Sequence, residues 1–111
     1  IAKGMERLVR LAQASDCWGP DGAPNILLIA PPAIGQGVYA SPVAQEMGAG
    51  CVEKSLRLPG QYRALAKETG CHFLDAGQTG AVMNTTDFMH LTSQGHRNLA
   101  GALARLIPSL L

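Results

Sequence analysis

The chain reads as part of an α/β fold built on a parallel sheet. Three observations carry that reading. Two short apolar runs, residues 25–30 and 72–76, have the length and content of strands. The first lacks any polar alternation, as expected for a strand buried on both faces under helices. Segments with helical apolar spacing precede, separate and follow the two runs. Such alternation implies parallel strands joined by right-handed crossovers.

Residues 4–14 form the first expected helix. Ile1, Met5, Leu8, Val9 and Ala12 fall on one stripe at helical spacing, and that stripe needs a partner surface. The pattern opens at Ile1 without an initiator Met, so the sequence looks like the later portion of a larger chain. Residues 15–24 hold Asp16, Gly19, Pro20, Asp21, Gly22 and Pro24, which makes them a loop. Asn25-Ile26-Leu27-Leu28-Ile29-Ala30 is the first strand. Pro31-Pro32 ends it, because proline has no N–H to give to a ladder.

Residues 33–50 contain Gly35, Gly37, Gly48, Gly50 and Pro42. They read as a long loop with one helical turn near positions 42–47, and loops of that length in a domain are commonly functional. Residues 52–69 follow a helical pattern through Val52, Leu56, Tyr62, Leu65 and Ala66. Pro59 is expected to kink this helix or to start a second one, and Gly70 suits its C-terminal cap. His72-Phe73-Leu74-Asp75-Ala76 is the second strand, and residues 77–86 are a loop. The last helix opens at Leu91 or Thr92, carries Leu99, Ala100, Leu103, Ala104, Leu106 and Ile107, and stops at Pro108.

Composition closes off several functions. The 111 residues suit one domain or part of one. With 47% hydrophobic residues and a net charge of +1, the chain is too apolar and too neutral for disorder. Its nine Lys and Arg are scattered singly, so no basic patch for nucleic acid is expected. The longest apolar run, residues 26–33, is broken by two prolines and is too short for a membrane span. Cys17, Cys51 and Cys71 form no CxxC pair. Ordinary reduced thiols are expected, without disulfide or structural zinc, which favours a cytoplasmic setting.

In open α/β sheets, ligands bind beyond the carboxyl ends of the strands. Residues 31–35 and 75–90 occupy such positions. The sharpest feature there is Asp87-Phe88-Met89-His90, just before a helix. Across three residues of a tight turn, a carboxylate and an imidazole can face one another. Asp87 could accept the Nδ1 proton of His90, which would fix the tautomer and leave Nε2 free as a general base. The plain alternative is a capping Asp beside a His that merely packs, because D-x-x-H is frequent by chance.

The wider context is informative. Asp87 to His96, running into Leu99-Ala100-Gly101-Ala102-Leu103-Ala104, resembles the last conserved block of the SGNH (GDSL-type) serine hydrolases. Three earlier features fit the same family: the strand ending in Ala30-Pro31-Pro32, Glu53-Lys54-Ser55 opening a helix, and Phe73-Leu74-Asp75-Ala76-Gly77. The layout looks most like the arylesterase and acetyl-esterase branch. The resemblance implies a three-layer α/β/α sandwich with a parallel, flavodoxin-like sheet, and hydrolysis of carboxylic esters. It implies His90 as base and Asp87 as its orienting acid, with no cofactor and no metal. The family's Gly-Asp-Ser block and its oxyanion Gly and Asn blocks have no match here. Ser15, Ser41, Ser55, Ser93 and Ser109 all lack that setting, and Asn25, Asn84 and Asn98 lack theirs.

The chain therefore resembles the C-terminal half of one SGNH domain, residues 1–111. The missing N-terminal half would be its partner, and self-association is possible for exposed sheet edges. The substrates implied are small acetyl, aryl or short acyl esters. A non-catalytic α/β binding module is the rival reading, since it needs no nucleophile.

Other residues compete for roles. Asp75, at the end of the second strand, could replace Asp87 beside His90, or could tie down the next loop through backbone amides. His96 lies about 600° of helix from His90 and shares no face with it. Cys71 and His72 alternate to opposite faces, against a Cys-His dyad. Asp87, His90 and His96 offer metal-ligand types without the usual i, i+4 spacing. Ile34, Phe88 and Met89, with Val38, Tyr39 and Met83, could line an acyl or aryl pocket, or could simply close the core under the loops. Gly35-Gln36-Gly37 is too short for a nucleotide-binding fingerprint, and Asn84-Thr85-Thr86 matches a glycosylation sequon that recurs by chance. Arg7, Arg10, Lys54, Arg57, Arg63 and Lys67 read as solvated helix faces.

Overall fold

The computed structural model describes residues 1–19 and 22–111; Pro20 and Asp21, expected in the first loop, lie outside them. Helix α1 (Ala2–Gln13) leads to strand β1 (Leu27–Ala30). A 3-10 turn (Gln36–Ala40) and the short helix α2 (Ala44–Met47) follow, then helix α3 (Cys51–Thr69). Strand β2 (His72–Asp75) runs into a 3-10 turn at Ala76–Gln78. Helix α4 (Ser93–Leu106) ends in a last 3-10 turn, Ile107–Ser109, which contains Pro108.

β1 and β2 pair in parallel, Leu27 opposite His72 and Ala30 opposite Asp75. This register puts the carboxyl ends of both strands level. The chain therefore leaves the sheet at Pro31 and at Ala76 side by side, which is where the site is built. α1 and α3 cover one face. Val9, Leu28, Leu65 and Ala66 form one buried cluster, and Ala30, Leu58 and Tyr62 form another, with Met5 and Phe73 packed against both. Arg63 of α3 lies 4.6 Å over the Phe73 ring, which adds a cation–π contact between helix and strand.

The structure corrects several sequence expectations. β1 begins at Leu27 instead of Asn25, although His72 N–H still reaches Ile26 C=O at 2.8 Å. It is buried on one face only: Leu28 and Ala30 are inside, whereas Ile29 is 37% exposed. α4 explains this, because it packs on its own C-terminal turn and on residues 80–92 and not across the sheet. In α1 only Met5, Val9 and Ala12 of the expected stripe turn inward, while Ile1 and Leu8 are exposed.

α3 is one continuous helix through Pro59, so the expected second helix does not form. The proline removes one i→i−4 bond, to Ser55 C=O. Leu58 and Tyr62, buried against Ala30, hold the helix together across the gap. Leu56 is exposed and Leu58 takes its place inside. Leu56 lies two residues from Leu58, about 200° round the helix, so it faces away from the side that buries Leu58, Tyr62 and Leu65.

Candidate active site

The loop after β2 folds back on itself before α4. Met83 and Leu91 form an antiparallel bridge. Thr92 N–H donates to Val82 C=O at 2.8 Å, and Asn84 N–H donates to His90 C=O at 2.9 Å. Thr92 also caps α4, its Oγ1 accepting from Gly95 N–H at 3.2 Å. Gly95 is buried so closely there that a Cβ would stand 2.6 Å from the Val82 carbonyl oxygen. The start of α4 is thus docked on the strand-like residues 82–83, and residues 84–90 form a closed turn between them.

Asp87 and His90 occupy that turn. Asp87 Oδ1 accepts the N–H groups of Met89 at 2.9 Å and His90 at 3.0 Å. Oδ2 is left for the ring, and lies 2.8 Å from His90 Nδ1. The His90 N–H foremost, then its ring, then the Met89 N–H, hold the Asp87 carboxyl far below the usual carboxylate range, against a smaller desolvation effect. An ionised carboxylate only accepts, so Nδ1 must carry the proton in this pair. In the neutral ring Nε2 is then the bare, basic nitrogen. The Asp87 side chain is 20% exposed and the His90 side chain 76%, so the carboxylate is sheltered and the imidazole projects outward.

Phe88, between them, adopts φ 59, a left-handed conformation rare for a bulky residue. Its carbonyl accepts Gly35 N–H at 2.8 Å. Its ring fills a notch that exists because Gly35 and Gly37 have no side chains: a Cβ on Gly37 would collide with the ring, and one on Gly35 would press on the Phe88 Cβ. This is the use of the Gly35-Gln36-Gly37 triplet, and sequence reasoning missed it. We expect Gly37→Ala to destabilise the fold by about 1–3 kcal/mol. Gly4→Ala, in α1 with open space around it, should be neutral or stabilising by under about 1 kcal/mol. Urea melts of the two variants check this, and equal midpoints would contradict it.

Phe88 therefore does not line the pocket expected for it. It packs with Met89 and Ile34 around Val38, Cys51 and Val52. Ile34 and Met89 do reach a cleft of about 420 Å³, whose walls include Pro31, Met47 and Leu58 and whose rim carries His90. Ser55 fixes one wall, its Oγ accepting Ile34 N–H at 2.9 Å and donating to Val52 C=O at 2.7 Å. Tyr39 stands outside, donating to Glu53 Oε2 at 2.9 Å.

Asp75, the rival acid, turns to its own loop and accepts Gly77 N–H at 2.9 Å. His72 and His96 are exposed, and Cys71 accepts from Thr69 Oγ1 at 3.3 Å. Among the described residues, no group of three His, Cys, Asp or Glu side chains is placed to hold a metal ion. Nor is any helix there long and apolar enough to cross a membrane.

Solved structures share this arrangement of elements. A carbohydrate acetylesterase family member from Sinorhizobium meliloti is 33% identical, with a TM-score of 0.85, over 99% of this chain and 51% of that one. An aryl esterase from M. smegmatis is 32% identical, with a TM-score of 0.82, over 100% of this chain and 51% of that one. In fold and in sequence the chain is similar, over its whole length, to esterases of the SGNH hydrolase family. It spans about half the length of these two esterases. No protein-family model and no curated protein matches it. The fold expected from the sequence, part of an SGNH α/β/α sandwich with a parallel sheet, agrees with these neighbours.

Proposed function

We propose that the whole protein is a serine ester hydrolase, and that residues 1–111 form the C-terminal part of its SGNH domain. The observation that carries this is the 2.8 Å contact between Asp87 Oδ2 and His90 Nδ1, with Asp87 Oδ1 tied to two backbone N–H groups. That geometry fixes the ring and leaves Nε2 facing outward.

In this reading His90 Nε2 takes the proton of a serine hydroxyl supplied by the rest of the domain. The alkoxide attacks the ester carbonyl, and donors from the same region stabilise the oxyanion. The imidazolium then protonates the leaving alcohol, and water hydrolyses the acyl-enzyme with the same base. Asp87 stays ionised throughout and stabilises the charged ring. Every proton moves between side chains, substrate and water, so no cofactor is required.

The substrates are small aryl, acetyl or short acyl esters. The mostly apolar cleft below His90 suits a short acyl or aryl group, and the two neighbours are named for acetyl and aryl esters. The whole protein is expected to turn over an aryl acetate in preference to the corresponding long-chain ester. Absence of turnover with either ester would overturn the assignment.

A further inference from the structure

Asn84 holds both ends of the Asp87–His90 turn. Its side-chain Oδ1 accepts the N–H of Thr86 and the N–H of Asp87, each at 2.9 Å. Its own backbone N–H donates to the His90 carbonyl at 2.9 Å. The residue on one side of the turn thus sets the backbone of the acid and of the base. None of these three bonds involves the carboxylate or the imidazole, so they restrain the pair independently of its own attraction.

The turn needs such restraint. Phe88 sits at φ 59 within it, a conformation that costs a non-glycine residue energy and persists only where its surroundings enforce it. Gly35 N–H grips the Phe88 carbonyl from outside the turn. From inside, only Asn84 bridges the first and last residues. Without Oδ1, the N–H groups of Thr86 and Asp87 lose their acceptor, and the Asp87 carboxylate keeps only its own bonds to Met89 and His90 to orient it.

We infer that Asn84 is a positioning residue, whose side chain orients Asp87 so that its carboxylate meets His90 Nδ1. The inference rests on the ester-hydrolysis reading above. It is separable from that reading, because the ring geometry can be measured without any substrate.

The test compares Asn84→Ala, Asn84→Asp and His90→Ala in the whole protein, with ester kinetics and the ¹⁵N resonances of the His90 ring as readouts. Asn84→Ala should lower kcat by roughly 10–100-fold and leave KM within about twofold. Its ring should become a mixture of Nδ1–H and Nε2–H tautomers. Asn84→Asp keeps an oxygen for the same two N–H groups, so it should restore the single Nδ1–H tautomer and return kcat to within about threefold of the parent. If Asn84→Ala does not fold, Asn84→Ser takes its place: its hydroxyl holds the same N–H groups more weakly than the amide oxygen does, so the same changes should appear at a smaller size.

Parental kcat and an unchanged tautomer in Asn84→Ala would overturn the inference. So would a loss of kcat that Asn84→Asp fails to restore. If His90→Ala keeps parental turnover, the reading of His90 as the catalytic base fails, and the tautomer in Asn84→Ala still decides the role of Asn84.

Discussion

His90→Ala in the whole protein should lower kcat for ester hydrolysis by at least about 10⁴-fold. The expectation follows from the placement of the ring. Nδ1 is engaged by Asp87, and Nε2 is the only other basic position on that side chain. Removing it leaves the nucleophile a neutral hydroxyl with nothing to take its proton. The fold should barely notice. With 76% of its side chain exposed, His90 contributes little packing, so the change in stability should stay within about 0.5 kcal/mol. Steady-state kinetics beside a urea melt separate the two effects. A large loss of activity that came with a matching loss of fold would point to a structural histidine.

Asp87→Asn should cost about 10³–10⁴-fold in kcat while preserving the turn. The reason lies in how the two carboxylate oxygens are used. An asparagine oxygen would still accept the N–H groups of Met89 and His90, as Oδ1 does now. Its NH₂ group would then face Nδ1, which must become the acceptor. The proton moves to Nε2, and the ring can no longer act as a base. The variant therefore has the correct shape with the wrong tautomer.

Acid provides a second view of the same residue. The folded carboxyl is held below its unfolded range. Its stabilisation is therefore complete above the unfolded value of about 3.9 and fades as the pH falls towards the folded one. The stability gap between the parent and Asp87→Asn should shrink steadily from about pH 5 to about pH 2. A gap that is constant over that span would mean that Asp87 makes no charge-dependent contribution.

The legible and illegible parts of this chain differ in a simple physical way. The Asp87–His90 contact spans three residues, so spacing alone brings acid and ring within reach. β1 and β2 announce themselves because apolar runs ended by Pro31 and by Gly77 have few other uses. Contacts made across long separations left no comparable mark. The notch formed by Gly35 and Gly37 exists for Phe88, some fifty positions later, and nothing near either glycine indicates that. The left-handed φ of Phe88 runs against the preference of its own side chain, so only its packing and the Gly35 hydrogen bond account for it. Pro59 argued for a break that buried neighbours overrode, and Leu56 looked like core until the phase of Leu58, Tyr62 and Leu65 was set by β1. Asn84 was visible only as part of a sequon and as an asparagine without the oxyanion setting, because its value lies in one oxygen serving two N–H groups of a turn whose shape was not yet known.

A fluorophosphonate probe applied to the whole protein, with the adduct located by peptide mass mapping, tests most directly whether the Asp87-held imidazole activates a serine. The expected result is one labelled serine outside residues 1–111, with labelling that slows by orders of magnitude in His90→Ala. Labelling that proceeds at the parental rate without His90, or no labelled serine at all, would contradict it.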